Sequence, residues 1–377
     1  MIKMKKIILL ACAIAGVFTK TIAQTEVRPF QPGVTESGIS YFLPQTKIQV
    51  IVTAERTISY PGEFSMYAEK FLRNKNVTQT KTEKWVLKTI ELSTFGAADP
   101  QLAFSITHNV KSLVPLVRLA PDGRLLSINC DAPELAKPAQ PSVTQLTTAV
   151  KNTSQYKTHE MLSAGSQIKM AELAAAEIYD IRENRSLLAK GQADFMPKDG
   201  QQLKLMLESL DKQEQGLLQL FEGTSESELH TFVFNYTPKA DDVKRDVLFR
   251  FSTRKGMVDN DDLAGAPYYI DITNMNALPE VIEVPQVEEK KSILDKLKKQ
   301  KSSKENLDLR YMLPGKAHVK VYDHQNVLAQ VEMLLSQFGR VEHLGGDLFN
   351  PKMQTSVVLS PVTGSLNKID YIKPEKK

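Results

Sequence analysis

Six histidines are the first residues whose type could support chemistry: His108, His159, His230, His318, His324 and His343. None stands in an H-x-x-x-H spacing or beside a cysteine, the patterns that bring two zinc ligands to one face. His159-Glu160 lacks a second histidine four residues after the first, so the zinc-protease pattern is absent. Nucleophile motifs are equally sparse, and no G-x-S-x-G elbow occurs. Ser166-Gln167-Ile168-Lys169 fits S-x-x-K without its S-D-N and K-T-G partners, and Ser166 stands where a helix N-cap is expected. Cys130 has no histidine beside it to make a thiolate and follows Ile128 at the end of an apolar segment, so it reads as a small packed hydrophobe. Glycine spacings for phosphate or dinucleotide binding are missing, and Gly345-Gly346 reads as a turn. The metal candidates are Asp259, Asp261 and Asp262, whose clustered oxygens suit calcium. Against calcium, the sixth position of that loop is Ala264 and the twelfth is Ile270, and Asp and Asn also dominate ordinary turns.

Residues 1–23 read as a secretion signal. Lys3, Lys5 and Lys6 precede an apolar stretch from Ile7 to Phe18, and Thr21-Ile22-Ala23 supplies small residues for cleavage between Ala23 and Gln24. That stretch is too short for a bilayer, which needs roughly 20 apolar residues. The rival reading is a lipid on Cys12, after Leu9-Leu10-Ala11, but the apolar run continues well beyond that cysteine. The chain carries 48 Lys+Arg and 44 Asp+Glu, for a formal net charge of +4. Lys3, Lys5, Lys6 and Lys20 belong to the signal, which has no acid, so the mature chain is expected to be neutral. Neutrality removes the electrostatic case for a nucleic-acid partner. Cys130 is then the only cysteine, and a packed core of 42% apolar composition must hold the fold without a disulfide. No later segment is apolar and long enough to be a transmembrane span.

The elements that would position these residues follow from periodicity. Ser40–Thr57 alternates through Ile48, Val50 and Val52, as a strand with one buried face does. Pro61-Gly62 ends it, and Phe64, Tyr67, Ala68 and Phe71 recur as on a short helix. Strands are expected near 85–95, 103–110 and 113–119, with Pro121-Asp122-Gly123 turning the chain into a partner at 125–130. Ala171, Ala174, Ala175, Ile178, Ile181 and Leu188 form the stripe of one helix, closed by Lys190 and Gly191. Asp199 opens a second, with Gln202 three residues on. Its stripe is Leu203, Met206, Leu207, Leu210, Leu217 and Phe221, up to Gly223. Strands resume at 228–237, 246–253 and 268–273, and again at 327–338, 341–344 and 355–359. Tyr311-Met312-Leu313-Pro314, followed by Val319 and Val321, echoes Tyr41-Phe42-Leu43-Pro44, followed by Ile48 and Val50, one residue out of register. The echo hints at two related β units.

The expected fold class is α+β: two mainly antiparallel β units with an intervening antiparallel α-helical hairpin. The expected divisions are the signal at 1–23, an N-terminal β-rich domain at 24–130 and a Pro-rich linker at 131–150. An α-helical hairpin at 151–224 and a β segment at 225–284 packing with the N-terminal unit follow. A charged linker at 285–308 leads to a C-terminal β unit at 309–377.

Several motifs in this order resemble a family of exported Bacteroidota proteins described only as a domain of unknown function. They are Tyr41-Phe42-Leu43-Pro44, Pro61-Gly62-Glu63-Phe64 with Tyr67-Ala68, Ala176-Glu177-Ile178-Tyr179, Pro197-Lys198-Asp199-Gly200, Asp261-Asp262-Leu263-Ala264-Gly265 and Gln337-Phe338-Gly339. The resemblance spans essentially the whole chain after the signal, and implies neither an activity nor catalytic residues.

The expected function is that of an exported protein of the periplasm, outer membrane or cell surface. It would be a non-catalytic binding or scaffold module whose partner is another envelope protein or an envelope polymer, and no resident cofactor is expected. The alternatives are a periplasmic hydrolase acting on glycan or peptide through an Asp/Glu pair, which leaves little sequence signature, and a calcium-stabilised adhesion module.

Overall fold

The structure is a computed structural model that describes residues 26–30, 38–107, 116–147, 154–197, 199–276, 309–344 and 354–372. The signal with Cys12, Ala23 and Gln24, the charged segment 285–308 and His108 lie outside the described residues.

Alternation in the sequence becomes long strands. The chain runs β1 (Glu26–Pro29), β2 (Gly38–Tyr60), α1 (Ala68–Leu72), β3 (Thr82–Thr107), β4 (Val117–Leu119), β5 (Leu125–Ile128) and β6 (Ser142–Thr147). Then come α2 (His159–Leu162), α3 (Gln167–Lys190), α4 (Gly200–Glu222), β7 (Thr224–Tyr236), β8 (Val243–Ser252), β9 (Gly256–Val258) and β10 (Ala266–Asn274). After these follow β11 (Leu309–Tyr322), β12 (Val327–Leu344), β13 (Gln354–Leu359) and β14 (Leu366–Ile372). The strands form three sheets, in the orders β1-β3-β2-β7-β6, β12-β11-β10-β8-β9 and β14-β13-β5-β4. Neighbouring strands pair antiparallel throughout. The protein is therefore a mixed fold of antiparallel sheets with helices.

Three apolar cores result. Ile48, Val50 and Val52 of β2 meet Phe249, Ile270 and Val319 of the second sheet. Tyr41 and Leu43 continue that face into a second core with Leu125, Ile128, Val357 and Leu359 of the third sheet. The helices own the third core, where Ala171, Ala174 and Ile178 pack with Leu217, Leu220 and Phe221.

The helix ends follow their sequence signals. Ser166 accepts from Lys169 N at 3.3 Å and Asp199 from Gln202 N at 2.7 Å, which satisfies donors the helices leave unpaired. Arg182 pairs with Glu214 and Arg185 with Asp211, so α3 and α4 run in opposite directions. The Pro61-Gly62-Glu63-Phe64 turn seats this pair on the first sheet. Phe64 N donates to Leu220 O at 2.7 Å, and a Cβ on Gly62 would lie 2.4 Å from that oxygen.

Where the strands differ from expectation, backbone hydrogen bonding is the reason. The strands expected at 85–95 and 103–110 are one strand, β3, which continues across Pro100. Phe42 pairs with Ala103 and Pro44 with Ala98, so residues 99–102 bulge opposite Leu43 alone. A proline in a bulge has no ladder bond to lose. β12 likewise joins two expected strands. Residues 131–150 hold a strand at their end, β6, which pairs with β7. Pro133, Pro138 and Pro141 all precede it, and as an edge strand with six exposed residues it carries no alternation to read. Residues 225–276 divide between sheets: β7 pairs with β2, whereas β8 and β10 join β11. Period tells which face of a strand is buried, and leaves open which edge it seeks.

The two long hairpins share one irregularity. Leu313 pairs with Arg340 and Gly315 with Leu335, so 336–339 bulge opposite Pro314 as 99–102 do opposite Leu43. Residues 41, 43, 44, 46 and 48 are buried with half-buried residues between them, and 312, 314, 315, 317 and 319 repeat that pattern. This alignment is one residue away from the Tyr41/Tyr311 echo. Short hairpins close both: Phe42 N donates to Gly123 O and Met312 N to Gly364 O, each at 3.0 Å. Gly123 and Gly364 sit at φ +85° and +72°, the left-handed region that favours glycine in a tight turn.

The bulged strand β12 and β2, the strand that faces the other bulge, are joined by a reciprocal clasp. Thr46 N donates to Ser336 Oγ at 2.8 Å, and Ser336 N donates to Thr46 Oγ1 at 3.1 Å. Gln337 Nε2 adds a bond to Thr46 O at 2.8 Å. Both Thr46 and Ser336 are buried. Thr46→Val keeps the side-chain shape and leaves buried donors unpaired, so a loss of about 1–3 kcal/mol is expected in urea denaturation. Thr46→Val combined with Ser336→Ala should lose less than the two single losses added together. Additive losses would show that the clasp is not a unit.

Candidate functional site

Chemistry-bearing side chains collect at one end of the first sheet, where three strands set them side by side. Arg56 of β2 stands opposite Trp85 of β3 and Glu228 of β7. Two residues back along β2, Ala54 lies between Leu87 and His230; two residues forward, Ile58 lies between Glu83 and Glu226. This is the face that carries Ile48, Val50 and Val52 further along β2. The apolar core thus gives way to a polar row at the sheet's end.

Every charge in the row has a partner. Arg56 Nε donates to Glu83 Oε1 at 2.9 Å, and Arg56 Nη1 lies 3.5 Å from Glu228 Oε2. Trp85 Nε1 also donates to Glu83 Oε1, at 2.9 Å. His230 Nε2 is 3.0 Å from Glu228 Oε2, and its ring packs 4.8 Å from the indole. The Tyr60 hydroxyl donates to Glu226 at 2.6 Å, a bond that raises the phenol's pKa. Arg56 lies 5.7 Å from the centre of the Trp85 ring. The guanidinium, followed by the indole N–H, holds the Glu83 carboxyl below its ordinary range. Trp85 is fixed from the β8–β9 hairpin, because its backbone N–H donates to Thr253 O at 2.8 Å and a Cβ on Gly256 would meet the indole at 2.7 Å.

This row can neutralise, stack and hold. A glycosidase pair needs one carboxyl with a raised pKa; here one guanidinium serves both Glu83 and Glu228 and pulls the first the other way. No motif marks the row, because its members are spread over residues 56–230. Its one legible signal is Arg56, a charge in the apolar phase of a strand.

A second feature lies on the helical pair. Leu203, Met206, Leu207 and Leu210 of the expected α4 stripe are only half-buried, unlike Leu217 and Phe221. There α3 and the loop after it leave a groove of about 480 Å³. Leu187, Leu188, Met206, Leu210 and Phe195 supply its apolar wall, while Asn184, Gln192, Gln213 and Ser209 add polar groups. Asp194 is its only carboxylate. Phe195 is 89% exposed and Leu205 on the adjoining turn is 61% exposed. A Phe-Met pair just before Pro197 was the signal available in the sequence.

The expected site residues are placed as follows. Asp259, Asp261 and Asp262 lie on the turn between β9 and β10, where Asp262 Oδ1 accepts from Ala264 N at 2.8 Å and Oδ2 from Lys255 Nζ at 3.0 Å. The backbone bond, then the lysine, lowers the Asp262 carboxyl's pKa. Asp259 and Asp261 point into solvent. Among the described residues, no group of three or more His, Cys, Asp or Glu side chains could hold a metal ion. His318 stands on β11 opposite Glu332, whereas His324 packs beside Tyr269, 5.7 Å between rings. His343 contacts Arg310, and His159 opens α2. Cys130 is half-buried, with Sγ 3.3 Å from Val357 O. Ser166 caps α3.

Arg56→Leu tests whether the row is a charge clamp. Glu83 has its pKa lowered in the fold, so the stability it contributes is present above its ordinary value of 4.5 and lost as pH falls through the folded value. Both groups are about one-third exposed, so solvent screening limits the effect to about 0.2–1 kcal/mol at pH 7. The variant should show that deficit in urea midpoints at pH 7, and the deficit should shrink as pH falls below 4.5.

The chain matches no curated protein and no solved structure. A match covering residues 37–367 places it in a family described as a domain of unknown function (DUF4831), and the chain belongs to that family.

Proposed function

We propose that the protein is an exported cell-envelope component that works by binding a segment of another envelope polypeptide in the groove on α3 and α4. The observation that carries this reading is the groove's lining. Leucine, methionine and phenylalanine form a wall while Asn184, Gln192 and Gln213 offer amides, the groups that receive an apolar side chain and the peptide bonds beside it. Export rests on the lysine, apolar and small-residue order of positions 3–23. No helix among the described residues is long and apolar enough to cross a membrane.

The scaffold part of the reading treats the β elements as two related units around the helical pair. The first runs long hairpin, short hairpin, strand pair (β2–β3, β4–β5, β6 and β7). The second runs strand pair, long hairpin, short hairpin (β8 and β10, β11–β12, β13–β14). The shared bulge and burial pattern support it. The hydrolase alternative is weaker because Arg56 holds the carboxylates of the polar row. The calcium alternative is weaker because Asp262 is already satisfied by Ala264 N and Lys255.

Lys190 and Lys204 are exposed on the helices that form the groove. Amine crosslinking of the native envelope, read by mass spectrometry, should join them to one other polypeptide. Phe195→Asp should abolish those links and leave the melting temperature unchanged, since Phe195 is exposed. Links that persist in the variant, or lysines that never leave the chain, would count against the groove. Calcium should leave the melting temperature unchanged; a rise of several degrees would favour the adhesion reading.

A further inference from the structure

Among the described residues six strands end the three sheets, and five of them carry a feature that discourages pairing with another chain. β4 and β9 have three residues each, and β1 has four and ends on Pro29. β6 follows Pro141 and shifts register between Gln145 and Thr147. β14 presents Lys368 and Asp370. β12 is the exception, with 18 residues. From Ala329 to Leu335 it faces Val321 to Gly315 without a shift, and this stretch contains no proline. Its single charge, Glu332, is bonded within the sheet to Lys316 at 2.6 Å. Among the described residues no strand pairs with the other edge of β12. Val331, opposite the fully buried Val319 and so on the core-facing side, is 37% exposed. The core face of the second sheet thus runs out to an edge that no described strand covers.

We propose that β12 is a dimerisation edge, pairing antiparallel with β12 of a second copy about a two-fold axis through Val331. The sequence is self-complementary at this register. Val331 meets Val331 of the second copy, and Ala329 meets Met333, all on the core-facing side. Gln330 meets Glu332 on the outer side, an amide beside a carboxylate. Moving the axis to Glu332 would set two carboxylates directly opposite one another, which destabilises a sheet. Moving it to Gln330 would oppose Glu332 to Leu328, the extra residue at the shift between Val321 and Tyr322. Pairing at Val331 joins two five-stranded sheets into one of ten strands and covers the exposed valines. The groove on the helices takes no part, so this inference stands apart from the binding reading.

Sedimentation velocity over a concentration series should show a monomer–dimer equilibrium for the parent chain. Val331→Lys, a charge on the inward side of an edge, should leave a monomer with an unchanged far-ultraviolet circular dichroism spectrum. The axis is tested separately with Cys12 and Cys130 changed to Ser. Directly opposed residues on paired strands have Cβ atoms about 4.5–5.5 Å apart, close enough for a disulfide after a small adjustment. Val331→Cys should therefore give a linked dimer on mild oxidation, whereas Val327→Cys should give several-fold less. A parent chain that stays monomeric at every concentration would overturn the proposal. So would equal linking of the two cysteine variants, or linking at position 327 alone.

Discussion

A bulged strand cannot be buried unless something answers its backbone, and that constraint organises this molecule. On β12 the surplus residues 336–339 interrupt the ladder where Ser336 is buried, and on β2 the pairing with β7 stops at Ile48, two residues past the buried Thr46. The hydroxyls of Thr46 and Ser336 stand in for the missing ladder, each accepting from the other's backbone N–H. Gln337 covers the remaining carbonyl of Thr46. Replacing these bonds with apolar contacts would strand buried polar groups, each more costly than the bond itself is worth. The clasp therefore fixes how the first two sheets meet, and the third sheet follows because its two turns supply the carbonyls for Phe42 and Met312.

The far end of the first sheet solves a different problem. A sandwich must stop somewhere, and at its margin the apolar face meets water. Here the margin is built from Arg56, Glu83, Glu228, His230 and Trp85, whose stacking and ion pairs satisfy the polar groups of a half-wet layer. Such a row resembles an active site in composition but differs in how its groups are engaged, because each carboxylate already accepts a bond or ion pair from a neighbour in the row. The groove on the helices is the opposite case, with apolar surface only partly covered and few charges to satisfy.

How much of this was legible in the sequence depended on whether the signal was local. Helix limits at Ser166, Gly191, Asp199 and Gly223 were readable because a cap is a short-range bond. The alternation of β2 was readable for the same reason. The continuity of β3 through Pro100 was not, since a proline argues against a strand until the partner is known to skip that stretch. β6 was invisible because an edge strand with both faces wet has no hydrophobic period. The assignment of β8 and β10 to the second sheet, and the gathering of Arg56 with Glu228 and His230, depend on pairings that no window of sequence contains. The echo at Tyr41 and Tyr311 falls in two hairpins that share a bulge, but the structural alignment is displaced from it by one residue, since the bulges and not the tyrosines set the register.

The clasp also has a kinetic side. Its two hydroxyls are separated by 290 residues, and β2 must wait for β7 before its second edge is filled. Loop closure over such spans is slow, whereas the two long hairpins and the helices need only near neighbours. A chain appearing from its N-terminus would hold preformed hairpins for a long interval while its main core stayed open. Completion would come late and all at once, when the last hundred residues arrived to lock Thr46. A protein wired in this way keeps its main core open for most of its emergence, with local hairpins and helices as its early structure.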